Sequence, residues 1–475
     1  MSLLQKLAAP LVALALAAPS VMGEPVEITV DAEQRFQTIE GWGTCLIAWR
    51  PEWRERYRTA EFEKLYVEEM GANILRVNLW GGVHDKAVES PGEIKHADFD
   101  FSVDGGRPQV FVDVGKALLA RDPEMKLIGT VWSPPAWMKE NGSITDDDGS
   151  GYLPSDRVDY ANNEGRRHDN RVKPEHFEHF VAWLVEMVKY HYAHGAPLYA
   201  VSPSNEPQFT QGFESCVWTA KDLATVTKML REQLDAAGYE GVKIFGPETM
   251  TGFNRPGANF EFVEEFGRVA DSFDAWATHG YTNGVDGDVS ANSSAEFWKL
   301  IEKSGKPYWV TEGGTGGHDW PQPLGGAAAM MHNALVHGHA SAVVPWQICE
   351  SQPNEHGLMV GLEIGKKADA ARHYWRYIRP GAVRIAATPS ESDGVAASAF
   401  VHEANGTLTL VLLNTAEEER EVSLSMSGLN VASLVPTVTD ADRSFAGGEA
   451  IGVEHESVTL SLPAESITTL VGEAQ

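Results

Sequence analysis

The sequence predicts an α/β protein: a (β/α)8 barrel with an attached C-terminal β-sandwich that an N-terminal strand joins. Three observations carry this. Eight short β-type runs follow residue 36, and helical patterns separate several of them, the alternation of a parallel barrel. After Arg379 that rhythm stops and short alternating strands take over, the texture of a sandwich. A further β-type run, Val26–Asp31, precedes the barrel and is expected to pair with the C-terminal sheet.

In order, the barrel candidates are Thr38–Gly43, Ala72–Trp80, Lys126–Trp132, Leu198–Pro203, Val242–Gly246, Ala275–Tyr281, Tyr308–Thr311 and Ala342–Gln347. Between them, Glu61–Met70, Phe177–His191, Ala220–Ala237 and Gly325–His337 repeat apolar residues at three- and four-residue spacing, as amphipathic helices do. A doubly wound sheet is the alternative, but no Gly-rich dinucleotide fingerprint opens a helix after the first strand. The Gly-rich run at 313–317 lacks that spacing and follows a late strand. The sandwich candidates are Val383–Ala387, Val395–His402, Thr407–Asn414, Glu421–Met426, Leu434–Thr439, Ser457–Leu462 and Ile467–Val471. Asn405-Gly406 between two of them is a hairpin signal.

The opening 23 residues hold a lone cation, Lys6, then an apolar stretch Leu7–Ala18 and small residues. This reads as a cleaved signal peptide, too short for a membrane span, so the expected location is secreted or periplasmic. The organisation is then 1–23 signal peptide, 24–35 N-terminal strand, 36–380 barrel and 381–475 sandwich. Three cysteines, Cys45, Cys216 and Cys349, form neither a zinc pattern nor a disulfide framework and are expected to pack as small apolar residues. A net charge of −29 argues against nucleic-acid and anionic-membrane partners. No cofactor or metal is expected. The expected partner is a carbohydrate substrate, and the expected state a monomer.

The chemistry concentrates where strands end, which in such a barrel is the active face. Those ends read Arg76-Val-Asn-Leu-Trp80, Trp132-Ser-Pro-Pro-Ala-Trp137, Asn205-Glu206-Pro207, His279-Gly-Tyr281, Trp309-Val-Thr-Glu312 and Pro345-Trp346-Gln347. Glu206 and Glu312 end the fourth and seventh strands. A facing carboxylate pair is what glycosidic cleavage requires, one giving a proton to the leaving oxygen while the other attacks or activates water. The plain structural reading is that each Glu pairs with a barrel Arg.

Ile39-Glu-Gly-Trp-Gly43, Trp132-Ser-Pro-Pro-Ala-Trp-Met-Lys139, Ser202-Pro-Ser-Asn-Glu-Pro207, Val310-Thr-Glu312 and Tyr377-Ile-Arg-Pro-Gly-Ala-Val-Arg-Ile385 together resemble glycoside hydrolase family 30. That family comprises retaining β-glycosidases of clan A with a barrel and an attached sandwich. The resemblance spans nearly all of the chain after residue 23. It implies Glu206 as acid/base and Glu312 as nucleophile, with Asn205, Arg76, Trp132, His279, Tyr281, Trp346 and Trp80 around the substrate. Of these, Asn205 would hold the sugar 2-hydroxyl, Arg76 and Tyr281 would support the charge of Glu312, and Trp346 would form the floor. His279 either lines the site or orients a neighbour. Trp42, Trp80, Trp132, Trp137 and Trp320 are candidate stacking platforms.

Two departures bear on specificity. Gly41-Trp-Gly-Thr44, with Leu46 and Trp49, is similar to the opening of the endo-β-1,6-galactanases within the family. The stretch after Asn141-Gly-Ser143 holds Asp146–Asp148 and Asp156, then Arg157, Arg166, Arg167, His168 and Arg171. Those cations either read an acidic sugar or pair with the neighbouring aspartates. The expected function is a retaining β-glycoside hydrolase acting on β-1,6-galactan or β-1,6-glucan. The alternatives are a xylanase or glucuronoxylanase of the same family, or a carbohydrate-binding protein that has lost catalysis.

Overall fold

The computed structural model describes residues 24–146, 169–210, 212–250, 262–281 and 293–474. The signal-peptide call at 1–23 lies outside them, as do Arg157, Arg166, Arg167 and His168.

Strand β1 (Val26–Thr38) leads into the barrel strands β2 (Gly41–Cys45), β3 (Ile74–Asn78), β4 (Lys126–Thr130), β5 (Ala200–Ser202), β6 (Lys243–Met250), β7 (Ala275–His279), β8 (Tyr308–Glu312) and β9 (Ala342–Val343). β2 to β9 pair in parallel in chain order, and β2 against β9 closes the cylinder at Gly41↔Ala342 and Trp42↔Val343. Alternation along each strand divides the side chains between two cores. Ile74, Ile128, Ala200, Phe245, Ala275, Ala277 and Trp309 pack together inside the barrel. Leu75, Val77, Leu127, Val201, Ile244, Trp276 and Val310 pack outward with the helices. By this parity Arg76, two residues beyond Ile74, lies on the inner face of β3. The close approach of β2 to β3 needs Gly43, where a Cβ would sit 1.8 Å from the Ile74 carbonyl oxygen.

The first and last barrel strands differ from the sequence reading. Thr38 is not barrel but the end of β1, pairing with Val383 of β12 (Val383–Thr388). The Ala342–Gln347 run splits at Val343, and β10 (Gln347–Glu350) pairs mainly with β11 (Gly357–Val360), outside the closed ring. The residues between, Val344 to Trp346, carry Trp346 across the mouth.

In the C-terminal domain β1 lies between β12 and the strand Arg420–Ser427, antiparallel to the first and parallel to the second. An N-terminal segment thereby ties the sandwich together. The Asn405-Gly406 signal is a real hairpin: Val395–His402 pairs with Thr407–Asn414, and Gly406 takes the left-handed turn at φ +63°. Cys45, Cys216 and Cys349 are unbridged and buried. Burial pushes the thiols of Cys45 and Cys349 up to about 12 and that of Cys216 to about 11, so they serve as packing and not as nucleophiles. Among the described residues no helix is long and apolar enough to cross a membrane.

Candidate active site

A cavity of about 690 Å³ opens at the C-terminal ends of the barrel strands. Its lining includes Glu206, Glu312, Asn205, Trp132, Tyr281 and Trp346 from the sequence-predicted set. A carboxylate oxygen of Glu206 and one of Glu312 lie within 4.8 Å of each other.

Backbone irregularities aim these groups. Simple alternation from Trp309 would put Thr311 inside the barrel and Glu312 outside. A register shift against β7, where Thr278↔Val310 is followed by His279↔Glu312, turns Glu312 into the mouth. β6 carries a second shift between Pro247 and Thr249, and the intervening Glu248 has φ +57°. Bulges of this kind re-aim side chains beside active sites. Glu206 itself sits at φ +44°, a conformation that costs a non-glycine residue about 1–3 kcal/mol and persists where surrounding structure imposes it.

Arg76, with no exposed surface, organises the floor. Its Nη1 donates to Glu312 at 2.6 Å, and its Nη2 to Asn205 Oδ1 at 2.7 Å and to Glu248 at 3.0 Å. The guanidinium lies 4.4 Å from the centroid of Trp132 and 5.8 Å from that of Trp346, a geometry in which ring faces favour a cation. The second oxygen of Glu312 accepts the Tyr281 hydroxyl. Burial pushes the Glu312 carboxyl above its ordinary value, against the pull of His279 and Arg76. Both of its oxygens accept hydrogen bonds, which is the arrangement of a carboxylate.

The fully buried His279 bonds Glu206 through Nδ1 at 2.8 Å, while its Nε2 faces Glu312 at 3.6 Å and Glu248 at 3.7 Å. Burial opposes its charge, but Glu312, Glu206 and Glu248 together push its pKa up to about 9. Burial likewise opposes the charge of Glu248, yet Arg76, His279 and Thr311 hold that carboxyl down at about 2.

These shifts set a stability window. The folded pKa of His279 exceeds its ordinary 6.5, so its contribution is complete below that pH and lost as pH rises through about 9. The folded pKa of Glu248 is below its ordinary 4.5, so its contribution is complete above that pH and lost as pH falls through about 2. From these two groups the thermal midpoint is expected to be highest between about pH 4.5 and 6.5 and to fall toward pH 9. Scanning calorimetry across pH 3–10 checks this, and a profile flat above pH 6.5 would contradict a protonated His279.

Several sequence-predicted residues lie elsewhere than expected. Arg76 and His279, named among the residues around the substrate, are fully buried and absent from the cavity lining; Arg76 pairs with Glu312, the supporting role expected of it, and His279 bonds its neighbour Glu206, the second of the two roles open to it. Trp80 is absent from the cavity lining; Arg107, 5.2 Å from its ring centroid, lines the wall in its place. Trp42 is fully buried and donates to the Ile378 carbonyl, so it is core. Trp320 donates to the Glu465 carbonyl of the sandwich, and Trp137 packs among His84, His176 and His179; neither lines the cavity. Of the basic stretch, Arg171 is described and pairs with Glu140 at 3.2 Å, not with an aspartate.

Sequence reading missed three participants. Glu248 lies two residues past the expected end of its strand, and extending the strand-end rule that far would have found it. Trp49 stacks on Trp346 with centroids 5.6 Å apart and planes at 12°, and both line the cavity. Glu214, also in the wall, is held by Arg107 at 2.5 Å; no local pattern announces that pair.

Glu206, His279 and Glu312 also offer three metal-type donor atoms within 4.8 Å of one another. The Arg76 guanidinium already supplies the positive charge at Glu312, so a cation there would meet a like charge. The arrangement suits a carboxylate pair working in general acid/base and nucleophilic roles without a metal.

Comparison with known proteins agrees with this chemistry. Residues 381–470 match the glycosyl hydrolase family 30 β-sandwich domain, and residues 51–359 match the model of glycosyl hydrolase family 59. A glucuronoxylanase, XynC of Bacillus subtilis (strain 168), is 23% identical over 464 residues, covering 94% of this chain and 91% of that protein. The solved structure of a family 30 subfamily 8 xylanase, Xyn30A of Clostridium acetobutylicum, superposes with a TM-score of 0.71 at 24% identity, covering 94% of this chain and 100% of that one. An endo-β1,6-glucanase superposes with a TM-score of 0.66 at 18% identity, over 94% of each chain. A family 30 β-sandwich, a glycosyl hydrolase model over the barrel and a glucuronoxylanase relative spanning 94% of the chain lead together to one assignment: the chain belongs to glycoside hydrolase family 30.

Proposed function

We propose that this glycoside hydrolase cleaves a β-linked polysaccharide by double displacement, with Glu206 as acid/base and Glu312 as nucleophile. The observation that carries the reading is the carboxylate separation of under 4.8 Å, on the side of the roughly 5–5.5 Å that goes with a covalent intermediate and short of the ~6.5–9.5 Å that leaves room for water. In the first step a Glu312 oxygen bonds the anomeric carbon as the glycosidic C–O bond breaks, and Glu206 gives its proton to the departing oxygen. In the second, water attacks the anomeric carbon, its proton passes to Glu206, and the ester bond to Glu312 breaks.

The surrounding residues have distinct tasks in this scheme. Arg76 and Tyr281 hold the two oxygens of Glu312 in place. Because Arg76 occupies the Asn205 oxygen, the Asn205 NH2 is left to face a sugar hydroxyl. His279 orients Glu206. Export through the N-terminal leader belongs to this proposal, since a polymer is met outside the cell.

For the substrate, a β-1,6-linked galactan or glucan is the first reading. Its support is Trp49, which belongs to the opening segment that resembles endo-β-1,6-galactanases and forms, with Trp346, a flat aromatic slab in the cavity. Xylan is the second, supported by the names of the relatives. Incubating the full chain with β-1,6-galactan, β-1,6-glucan, linear xylan and glucuronoxylan, and separating the products, tests both. Oligosaccharides from a β-1,6-polymer are expected; release from xylans alone would promote the second reading, and release from none would overturn both.

A further inference from the structure

Two histidines and a glutamate converge where the helix between β8 and β9 meets the sandwich. His332 ends the α-helical segment Ala329–His332, and Asn333–His337 continues it as a π-helix. On an α-helix residues five apart are turned roughly 140° from each other and could not share a target. One π turn, closing i to i+5, brings them back to nearly the same face. Both imidazoles therefore reach Glu391, on the short sandwich strand Glu391–Ser392.

His332 Nε2 lies 2.8 Å and His337 Nε2 2.7 Å from the same oxygen, Glu391 Oε1. All three donor atoms fall within 4.8 Å of one another. Two imidazole nitrogens and one carboxylate oxygen are a donor set of the zinc type, with bonds of about 2.0–2.2 Å and one position left open. Tetrahedral placement at that bond length separates ligand atoms by about 3.3 Å, so the triad has to open by about half an ångström. A small rotation of the Glu391 side chain, one quarter exposed, provides it. His337, one fifth exposed, leaves the site open to solvent.

We propose that His332, His337 and Glu391 form a binding site for a divalent ion of the zinc class, which clamps the barrel to the sandwich. The electrostatics are compatible. The Arg384 guanidinium is turned to Gln37 and His339, at 3.0 and 3.2 Å. Both Nε2 atoms lie at hydrogen-bond distance from the Glu391 oxygen, so taking up the ion requires each imidazole to carry its N–H on Nδ1. The clamp is separate from the carboxylate pair, so it stands or falls independently of the proposed reaction.

The test uses the full chain stripped with a chelator, then titrated with cobalt(II) or zinc(II) chloride. Expected are one tightly bound equivalent, the visible bands of four-coordinate cobalt(II), and a thermal midpoint that rises by several degrees with zinc. Glu391→Gln keeps an acceptor for both imidazoles but removes the anionic ligand, and His337→Gln removes one nitrogen. Both variants should lose the cobalt bands and the zinc-dependent rise. A rise that persists in both, or no stoichiometric binding to the parent protein, would reduce the triad to a hydrogen-bonded contact and overturn the proposal. Should a variant fold poorly, the cobalt-shifted imidazole resonances of the parent decide. Two bound histidines are expected, and none, or signals that survive in the other variant, would count against the site.

Discussion

Glu312→Gln is expected to lower kcat on any substrate the enzyme turns over by on the order of 10⁴-fold or more, the scale on which loss of an attacking group is felt. The amide is nearly the same size and can still accept from Arg76, which keeps its separate ion pair with Glu248 at 3.0 Å. The floor should therefore survive, with a thermal midpoint close to that of the parent and oligosaccharide binding retained. Loss of rate with binding intact separates a nucleophile from a structural carboxylate. Turnover within tenfold of the parent would remove Glu312 from the reaction.

Glu206→Gln should cost about 10²–10⁴-fold on polysaccharide, the usual weight of a positioned acid, but in a manner that depends on the leaving group. A glycoside of an acidic phenol departs without a proton, so the first step should stay fast in the variant. The second step, which needs Glu206 as base, then becomes limiting, and the covalent intermediate accumulates. Rapid mixing should show a burst of phenol equal to the enzyme present, followed by slow turnover. An equal loss for good and poor leaving groups, with no burst, would assign Glu206 another role. The strained backbone at Glu206 and its bond to the buried His279 hold this proposed proton donor in one fixed direction. Pre-organisation of this kind is what positions a general acid against a leaving oxygen.

The two effects differ because Arg76 and His279 do different work. Arg76 binds Glu312, the carboxylate proposed as nucleophile, while His279 bonds Glu206, the one proposed as acid/base. Glu248 balances both cations and touches the cavity with neither oxygen: one accepts from Arg76 and the other from Thr130 at 3.0 Å. Without it, two positive groups would face one nucleophile.

The barrel and its attached sandwich were legible because their signals are local. Alternation along Val395–His402 and Thr407–Asn414, a turn dipeptide between them, and apolar periodicity in Phe177–His191 each depend on neighbours within a few residues. Glu206 and Glu312 were legible for a related reason: strand ends in a barrel share one face, so position along the chain already implies a common mouth. The roles of Trp42 and Trp320 were not legible, because an indole looks the same in sequence whether it meets a sugar, a helix or the sandwich.

What the sequence by itself determined was the order of strands and helices, the extra sandwich, and the pair of carboxylates at the active rim. Only the tertiary structure decided which way those carboxylates face, that Glu248 joins them, and that Arg76 and His279 stand behind the cavity instead of within it. The reason is that strand parity is a rule about regular pairing, and the site is built where pairing is irregular. The shifts beside β7 arise from how three strands fit around a closed cylinder, which no single segment encodes.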